Sequence, residues 1–222
     1  KRIRILDYNL PFNYSAINNF AVSHSSSPLL GLINNDIEVI SPEWLSSMVS
    51  HAIRPDVGCV GARLFYGNGR IQHAGVVVGL GGVAGHSHKN FPQQASGYFD
   101  RVDLPQQLSA VTAACLIVRR EIFDEVSGLN ESSLAVAFND VDFCLKVHTA
   151  GYRNIYDSMS KLYHHESVSR GLDDDPIKQA RFNSEVKYMK DVWGKGNSIP
   201  TCPFYNPWLT ADSENFMLAQ RL

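Results

Sequence analysis

Hydrophobic and polar positions change their period several times along the chain, and each change marks an element. Arg2 to Leu6 alternates basic and apolar side chains, which predicts a strand. After Pro11, Asn13 to Ser23 places Ile17, Phe20 and Ala21 at helical spacing with Asn13 as N-cap. Pro28 to Ile33 is a short apolar run that stops at Asn34, Asn35 and Asp36, the pattern of a buried parallel strand arriving at a site. Ser41, Pro42 and Glu43 supply an N-cap, a first-turn proline and a first-turn acid for a helix carrying Trp44, Leu45, Met48 and Val49.

Val57 to Phe65 and Arg70 to Gly79 are β-prone runs joined by Tyr66 to Gly69, which predicts a hairpin. The glycine-rich stretch Gly79 to Gly85, with His86, His88, Lys89 and then Gln93 to Gly97, predicts a long, mobile, ligand-facing loop. Leu108 to Val118 is apolar and small enough for a central strand, and Glu121 to Val126 fits a short helix stopped by Gly128. Asp140 to Ala150 predicts a helix ended by Gly151, Arg153 to Tyr156 a strand. Asp175 and Pro176 open a further helix with Phe182, Val186, Met189 and Trp193 on one stripe and Gly194 as stop. The tail, 199–222, reads as a surface wrap. Strands alternating with helices predict an α/β sheet, with ligands beyond the carboxyl ends of its strands.

Composition narrows the picture only a little. With 222 residues, 44% of them hydrophobic, the chain can bury the core of a single domain. A formal charge of −2 gives no broad attraction to nucleic acid or to an anionic membrane. Runs such as Val57 to Val60 and Gly75 to Leu80 are far shorter than the roughly 20 residues that span a bilayer. Cys59, Cys115, Cys144 and Cys202 form no CxxC pair and read as buried reduced thiols, which suits the cytoplasm.

Three clusters carry candidate chemistry. Asp36, beside two amides at a strand end, can hold a hard divalent cation; a plain turn explains the same triplet. Asp140 and Asp142 fall in the first turn of a helix, where acids also serve the macrodipole. Residues two apart on a helix point roughly 200° away from each other, so the two carboxylates cannot share one pocket. Asp142 precedes Lys146 by four, a favourable ion-pair order, which leaves Asp140 as the freer proton acceptor. His164 and His165 follow a strand and face opposite ways, so one of them at most looks into a given site. His73, His86 and His88 read as loop or substrate contacts before metal ligands, and no HExxH pattern supports a zinc hydrolase.

The stretches FNYSAINN (12–19), LINNDIEVISPEWL (32–45), GRIQHAGVVVGLGGVAGHSH (69–88), AVTAACLIVRREIFDEVSGLNE (110–131), AFNDVDFCLKVHTAGYRN (137–154) and YHHESVSRG (163–171) resemble, in this order, family 2 glycosyltransferases of the rhamnosyltransferase-like, cell-surface polysaccharide kind. The resemblance implies a GT-A-like mixed sheet flanked by helices, lacking the family's first β-α-β unit: one domain over 1–222, partial at its N-terminus.

It also implies roles. Asn34, Asn35 and Asp36 stand where the family has a DxD motif, so that they and Asn19 would be donor-binding. Asp36 with His164 or His165 would hold a divalent cation, Mn2+ or Mg2+, and Asp140 would be the catalytic base. His86, His88 and Asp142 would contact the acceptor. The implied partners are a nucleotide-sugar donor and a glycan or lipid-linked acceptor, used in the cytoplasm or at the inner face of the membrane; a homo-oligomer or a larger synthase would be compatible. Asn-Asn-Asp in place of DxD, and Asn139 in place of the family's Glu, both remove a carboxylate. A noncatalytic glycan-binding or scaffold domain is the competing reading.

Overall fold

The computed structural model describes residues 3–165, 175–194, 199, 202–214 and 216–220. Arg2, and residues 166–171 of the last matching stretch, lie outside the described residues. In chain order the elements are α1 (Tyr14–Ser23), β1 (Leu29–Ile33), β2 (Ile37–Val39), α2 (Trp44–Ala52), β3 (Val57–Phe65), β4 (Ile71–His73), β5 (Val76–Val78), β6 (Ala84–His86), β7 (Gln106–Leu108), β8 (Cys115–Arg119), α3 (Arg120–Glu125), α4 (Asn139–Thr149), β9 (Arg153–His164) and α5 (Pro176–Trp193).

The main sheet has seven strands in the order β1-β8-β3-β9-β2, with β4 joined to β3 and β7 to β9. At its centre β3, buried at all nine positions, runs parallel to β9, while β8 and β4 flank β3 antiparallel. One sheet face packs on α2 through Met48 and Ala52. Residues of α1, α3, α4, α5 and the tail join the larger core on the other.

Two glycines let that second layer come close. A Cβ on Gly58 would lie 2.2 Å from Val147 of α4, and one on Gly61 would lie 2.5 Å from Val111. Contacts that short force a neighbour to move, so a side chain at either position would displace the layer packed against it.

Several expectations change. Residues 3–9 form no strand, and Ile3 and Ile5 are exposed. β1 is antiparallel to β8, not parallel, and its alternating burial is that of a strand at the sheet border. The N-cap at Asn13 holds, its side chain accepting from Ala16 N at 3.0 Å; yet α1 buries Ser15 and Val22 rather than Ala21, because Ser15 Oγ donates to Leu134 O at 2.5 Å. Before α2, the Ser41 hydroxyl does not cap; it accepts from Lys161 N. The hairpin after β3 forms, but its second run divides into β4 and β5, and β5 pairs with β6 as a separate small sheet.

The long loop is anchored. Buried Arg63 donates to Asp103 Oδ1 (2.6 Å) and Gln93 O (3.0 Å), and His88 Nε2 accepts from Tyr98 N at 3.0 Å. Nor does the tail merely wrap the surface. Cys202 N donates to Val78 O of β5, and Cys202, Tyr205, Leu209 and Phe216 enter the main core.

Leu108 to Val118 is not one strand. It leaves the ladder between β7 and β8, and the backbone of 112–114 instead serves the site: Thr112 N donates to His73 Nε2 (3.2 Å), Ala113 N to Asp140 Oδ2 (3.2 Å), and Ala114 O accepts from Asn34 N (2.9 Å). Ala113 O accepts the Tyr14 hydroxyl at 2.7 Å.

Candidate active-site cleft

A cavity of about 410 Å³ opens where β1 and β2 part and α4 begins, lined among others by Tyr14, Asn34, Gln72, His86, Asp140 and His164. Strand register builds its first wall. Ile37 of β2 lies opposite His164 of β9, so the turn before β2 sets Asp36 beside His164. Asp36 Oδ1 is buried without a hydrogen-bond partner, 3.3 Å from His164 Nε2. His164 Nδ1 donates to Gln72 Oε1 at 2.7 Å, which fixes the tautomer that leaves Nε2 with its lone pair toward Asn34 Nδ2 (3.1 Å) and Asp36. A carboxylate oxygen without a donor, facing an imidazole nitrogen without a proton, suits a shared cation.

Those two side chains fit a divalent ion that keeps water and phosphate oxygens as its remaining ligands. No group of three or more His, Cys, Asp and Glu side chains placed to hold a metal occurs among the described residues. His165 is not at this wall: its Nε2 meets Glu38 Oε2 at 2.9 Å, and only its backbone N–H reaches Asp36, at the carbonyl.

The second wall is the first turn of α4. Asp140 Oδ1 accepts from Val141 N (2.8 Å) and Oδ2 from Ala113 N (3.2 Å), which aims the carboxylate along the cleft. Tyr14 stands next to it; burial, and then the negative charge of Asp140, push its phenol well above the ordinary tyrosine range, so it is a neutral hydrogen-bonding group. The third wall is the small sheet, where His86 Nδ1 donates to Gln72 O at 2.8 Å and Lys89 stands exposed at the rim. Gln72 thus links the His164 wall to the His86 wall.

Asn19, Asp142, His88 and Asn35 join His165 in standing away from the cleft. Asn19 pins the loop after α3, accepting from Leu129 N (3.0 Å) and donating to Leu129 O (2.9 Å) and Glu131. It lines a second cavity with Lys146 and Asp142. Asp142 is 2% exposed and accepts from Trp193 Nε1 at 2.9 Å, with Lys146 Nζ 3.5 Å away. His88 is fully buried and stacked on Phe216 at 4.2 Å. Asn35 sits on the exposed outside of the turn.

Sequence reasoning missed Tyr14, Gln72 and Phe182 as lining residues. Gln72 left a signal: with His73 it is one of two polar side chains in the otherwise apolar run 71–79.

Similar chains share this architecture. A mannosyltransferase, PcManGT from Pyrobaculum calidifontis, solved in complex with GDP-Man and Mn2+, superposes with a TM-score of 0.51 at 13% identity, over 84% of this chain and 45% of that one. GalNAc-T7, solved with UDP, GalNAc and Mn2+, gives 0.60 at 12% identity, over 84% of this chain and 36% of its own. The chain has the GT-A fold.

No protein-family model matches this GT-A chain. It is 56% identical over 219 residues to the uncharacterized protein y4gI of Sinorhizobium fredii (strain NBRC 101917 / NGR234), covering 99% of this chain and 24% of that protein. It is 40% identical over 211 residues to the O-antigen biosynthesis protein RfbC of Myxococcus xanthus, covering 94% of this chain and 16% of RfbC. The GT-A chain therefore spans a quarter or less of the length of these relatives. Among the described residues no helix is long and apolar enough to cross a membrane.

Proposed function

We propose that this chain is the catalytic part of an inverting, divalent-cation-assisted glycosyltransferase of the family 2, rhamnosyltransferase-like kind. It would move a sugar from a nucleotide-sugar donor to a glycan or lipid-linked acceptor in cell-surface polysaccharide synthesis, on the cytoplasmic side. One observation carries the reading: the Asp140 carboxylate and His164, whose Nε2 lies 3.3 Å from Asp36 Oδ1, line one cleft. The two GT-A transferases solved with nucleotide or nucleotide-sugar and Mn2+, and the O-antigen biosynthesis relative, support it.

A divalent cation bound at Asp36 and His164 would supply positive charge to the departing diphosphate. Gln72 holds His164 in the ligating tautomer. Asp140 accepts the proton of the acceptor hydroxyl, that oxygen attacks the anomeric carbon from the face opposite the nucleotide, and the carbon inverts as nucleoside diphosphate leaves. Tyr14 and the backbone of 112–114 hold Asp140 and its surroundings in place.

A second reading, a noncatalytic glycan-binding or scaffold domain, draws on the single carboxylate at 34–36 and on the two-ligand cation site. Calorimetric titration with UDP, dTDP and GDP, with and without Mn2+, separates the two. The enzyme reading expects nucleotide binding that requires Mn2+ and vanishes in Asp36→Ala. Glycan binding without any nucleotide binding would overturn it.

A further inference from the structure

Glu185 lies on α5 and is 1% exposed. Both of its carboxylate oxygens are engaged by backbone: Oε1 accepts from Val136 N at 2.8 Å and Oε2 from Ala137 N at 3.2 Å. A buried carboxylate is unfavourable unless paired and hydrogen-bonded. Arg181, one turn earlier, brings Nε to 3.6 Å of Oε2.

The segment gripped in this way leads directly into the first turn of α4. Leu134 O accepts from Ser15 Oγ, Ala135 O from Tyr14 N at 2.7 Å, and Val136 O from Asn139 Nδ2 at 2.7 Å. The strap 134–138 is therefore tied to α1 on one side and to α5 on the other. It ends at Phe138, whose φ of 58° is left-handed, a conformation disfavoured for a residue with a side chain. Phe138 packs on Phe182 of α5, the rings 5.6 Å apart. Two residues later the chain reaches Asp140.

We propose that Glu185 is the positioning residue for Asp140: its carboxylate locks the strap in the one arrangement that delivers the Asp140 side chain to Ala113 N and the cleft. The kinetic part of this proposal rests on the glycosyl-transfer reading; the structural part does not. The nearly isosteric Glu185→Gln is the informative change, because it turns one acceptor oxygen into an NH2 group facing a backbone N–H, donor against donor.

Amide hydrogen exchange and transfer kinetics on the same variants test it. In Glu185→Gln, exchange over 134–141 should rise about 10-fold while β3 and β9 keep wild-type protection. Turnover at saturating donor should fall about 10- to 100-fold with Mn2+-dependent nucleotide affinity unchanged. Adding Glu185→Gln to Asp140→Asn should lower turnover no further. Arg181→Gln, which keeps both carboxylate bonds, should raise exchange of the strap by a smaller factor and keeps the test open should Glu185→Gln fail to fold. Unchanged strap exchange in both variants, or a loss of turnover that adds to that of Asp140→Asn, would overturn the assignment. Absence of transfer by the wild-type chain with every donor would sink the transferase reading instead, and strap exchange would still decide what Glu185 does.

Discussion

Asp140 and Asp142 stand two positions apart on α4 and open onto different cavities, Asp140 onto the cleft and Asp142 onto the cavity it shares with Asn19 and Lys146. Replacing each tests a different property. Asp140→Asn should lower transfer about 10²- to 10⁴-fold, the range for loss of a general base, with stability close to wild type. Asp142→Asn should cost about 2–4 kcal/mol of stability, since it strips a buried carboxylate from Lys146 and Trp193. Transfer assays beside urea denaturation of both variants check this; equal stability losses would contradict the division.

Gln72 sits behind His164 and does not touch the space between His164 and Asp36. Gln72→Ala should therefore weaken Mn2+ binding about 10- to 100-fold, as loss of a ligand's hydrogen-bond partner does elsewhere. Asp36→Ala should abolish it. A Mn2+ titration followed by electron paramagnetic resonance measures both, and a Gln72→Ala affinity equal to wild type would remove Gln72 from the site.

His73 and His88 are neutral in the folded chain. Each uses Nε2 to accept a backbone N–H, from Thr112 and Tyr98 respectively, and protonation would break that bond. Burial, then the neighbouring His86, hold His73 well below the ordinary histidine range. Burial, with Arg101 and Arg63 nearby, pushes His88 down to about 4. Below about pH 6.5 the unfolded chain binds protons that the folded chain refuses, so this stability is fully present above that pH and is lost as pH falls, at about 1.4 kcal/mol per unit for each histidine. Urea midpoints should fall between pH 7.5 and 5.0, and His88→Gln should flatten that dependence.

Gly61→Ala should destabilise by about 1–3 kcal/mol, the usual cost of overpacking, because its Cβ would press on Val111 at 2.5 Å. Since 112–114 carries the partners of His73, Asp140 and Asn34, transfer should fall as well. Thermal melts and transfer assays on one preparation check the pairing of the two losses.

The sequence made most helices legible, through capping and stop signals at Asn13, Asp175, Gly128 and Gly151, because such signals are local. The apolar run Pro28 to Ile33 predicts a buried parallel strand, since its residues do not reveal that β8 returns beside them antiparallel. The break at 109–114 was invisible for a related reason: small apolar residues suit a strand, and only tertiary contacts show that their backbone bonds go to side chains. In the site, the opposite facing of Asp140 and Asp142 follows from helix geometry, and the division between His164 and His165 from the alternation of a strand. His88 and Asn19 were misplaced because their polar atoms are consumed by the backbone of Tyr98 and Leu129, pairings that the sequence does not display. Glu185 did carry a signal, a carboxylate falling on the stripe of Phe182, Val186 and Met189, where an unpaired charge would not be tolerated.

The tail's path matters for how the protein is made. Cys202 lies on β5 through Val78, and Phe216 stacks between His88 and Tyr98, so the small sheet is roofed by residues translated more than a hundred positions after it. During synthesis from N- to C-terminus, β5, β6 and the ring of His88 wait uncovered until 202–216 leaves the ribosome, and a nascent chain halted before Phe216 presents an apolar surface for chaperones to hold.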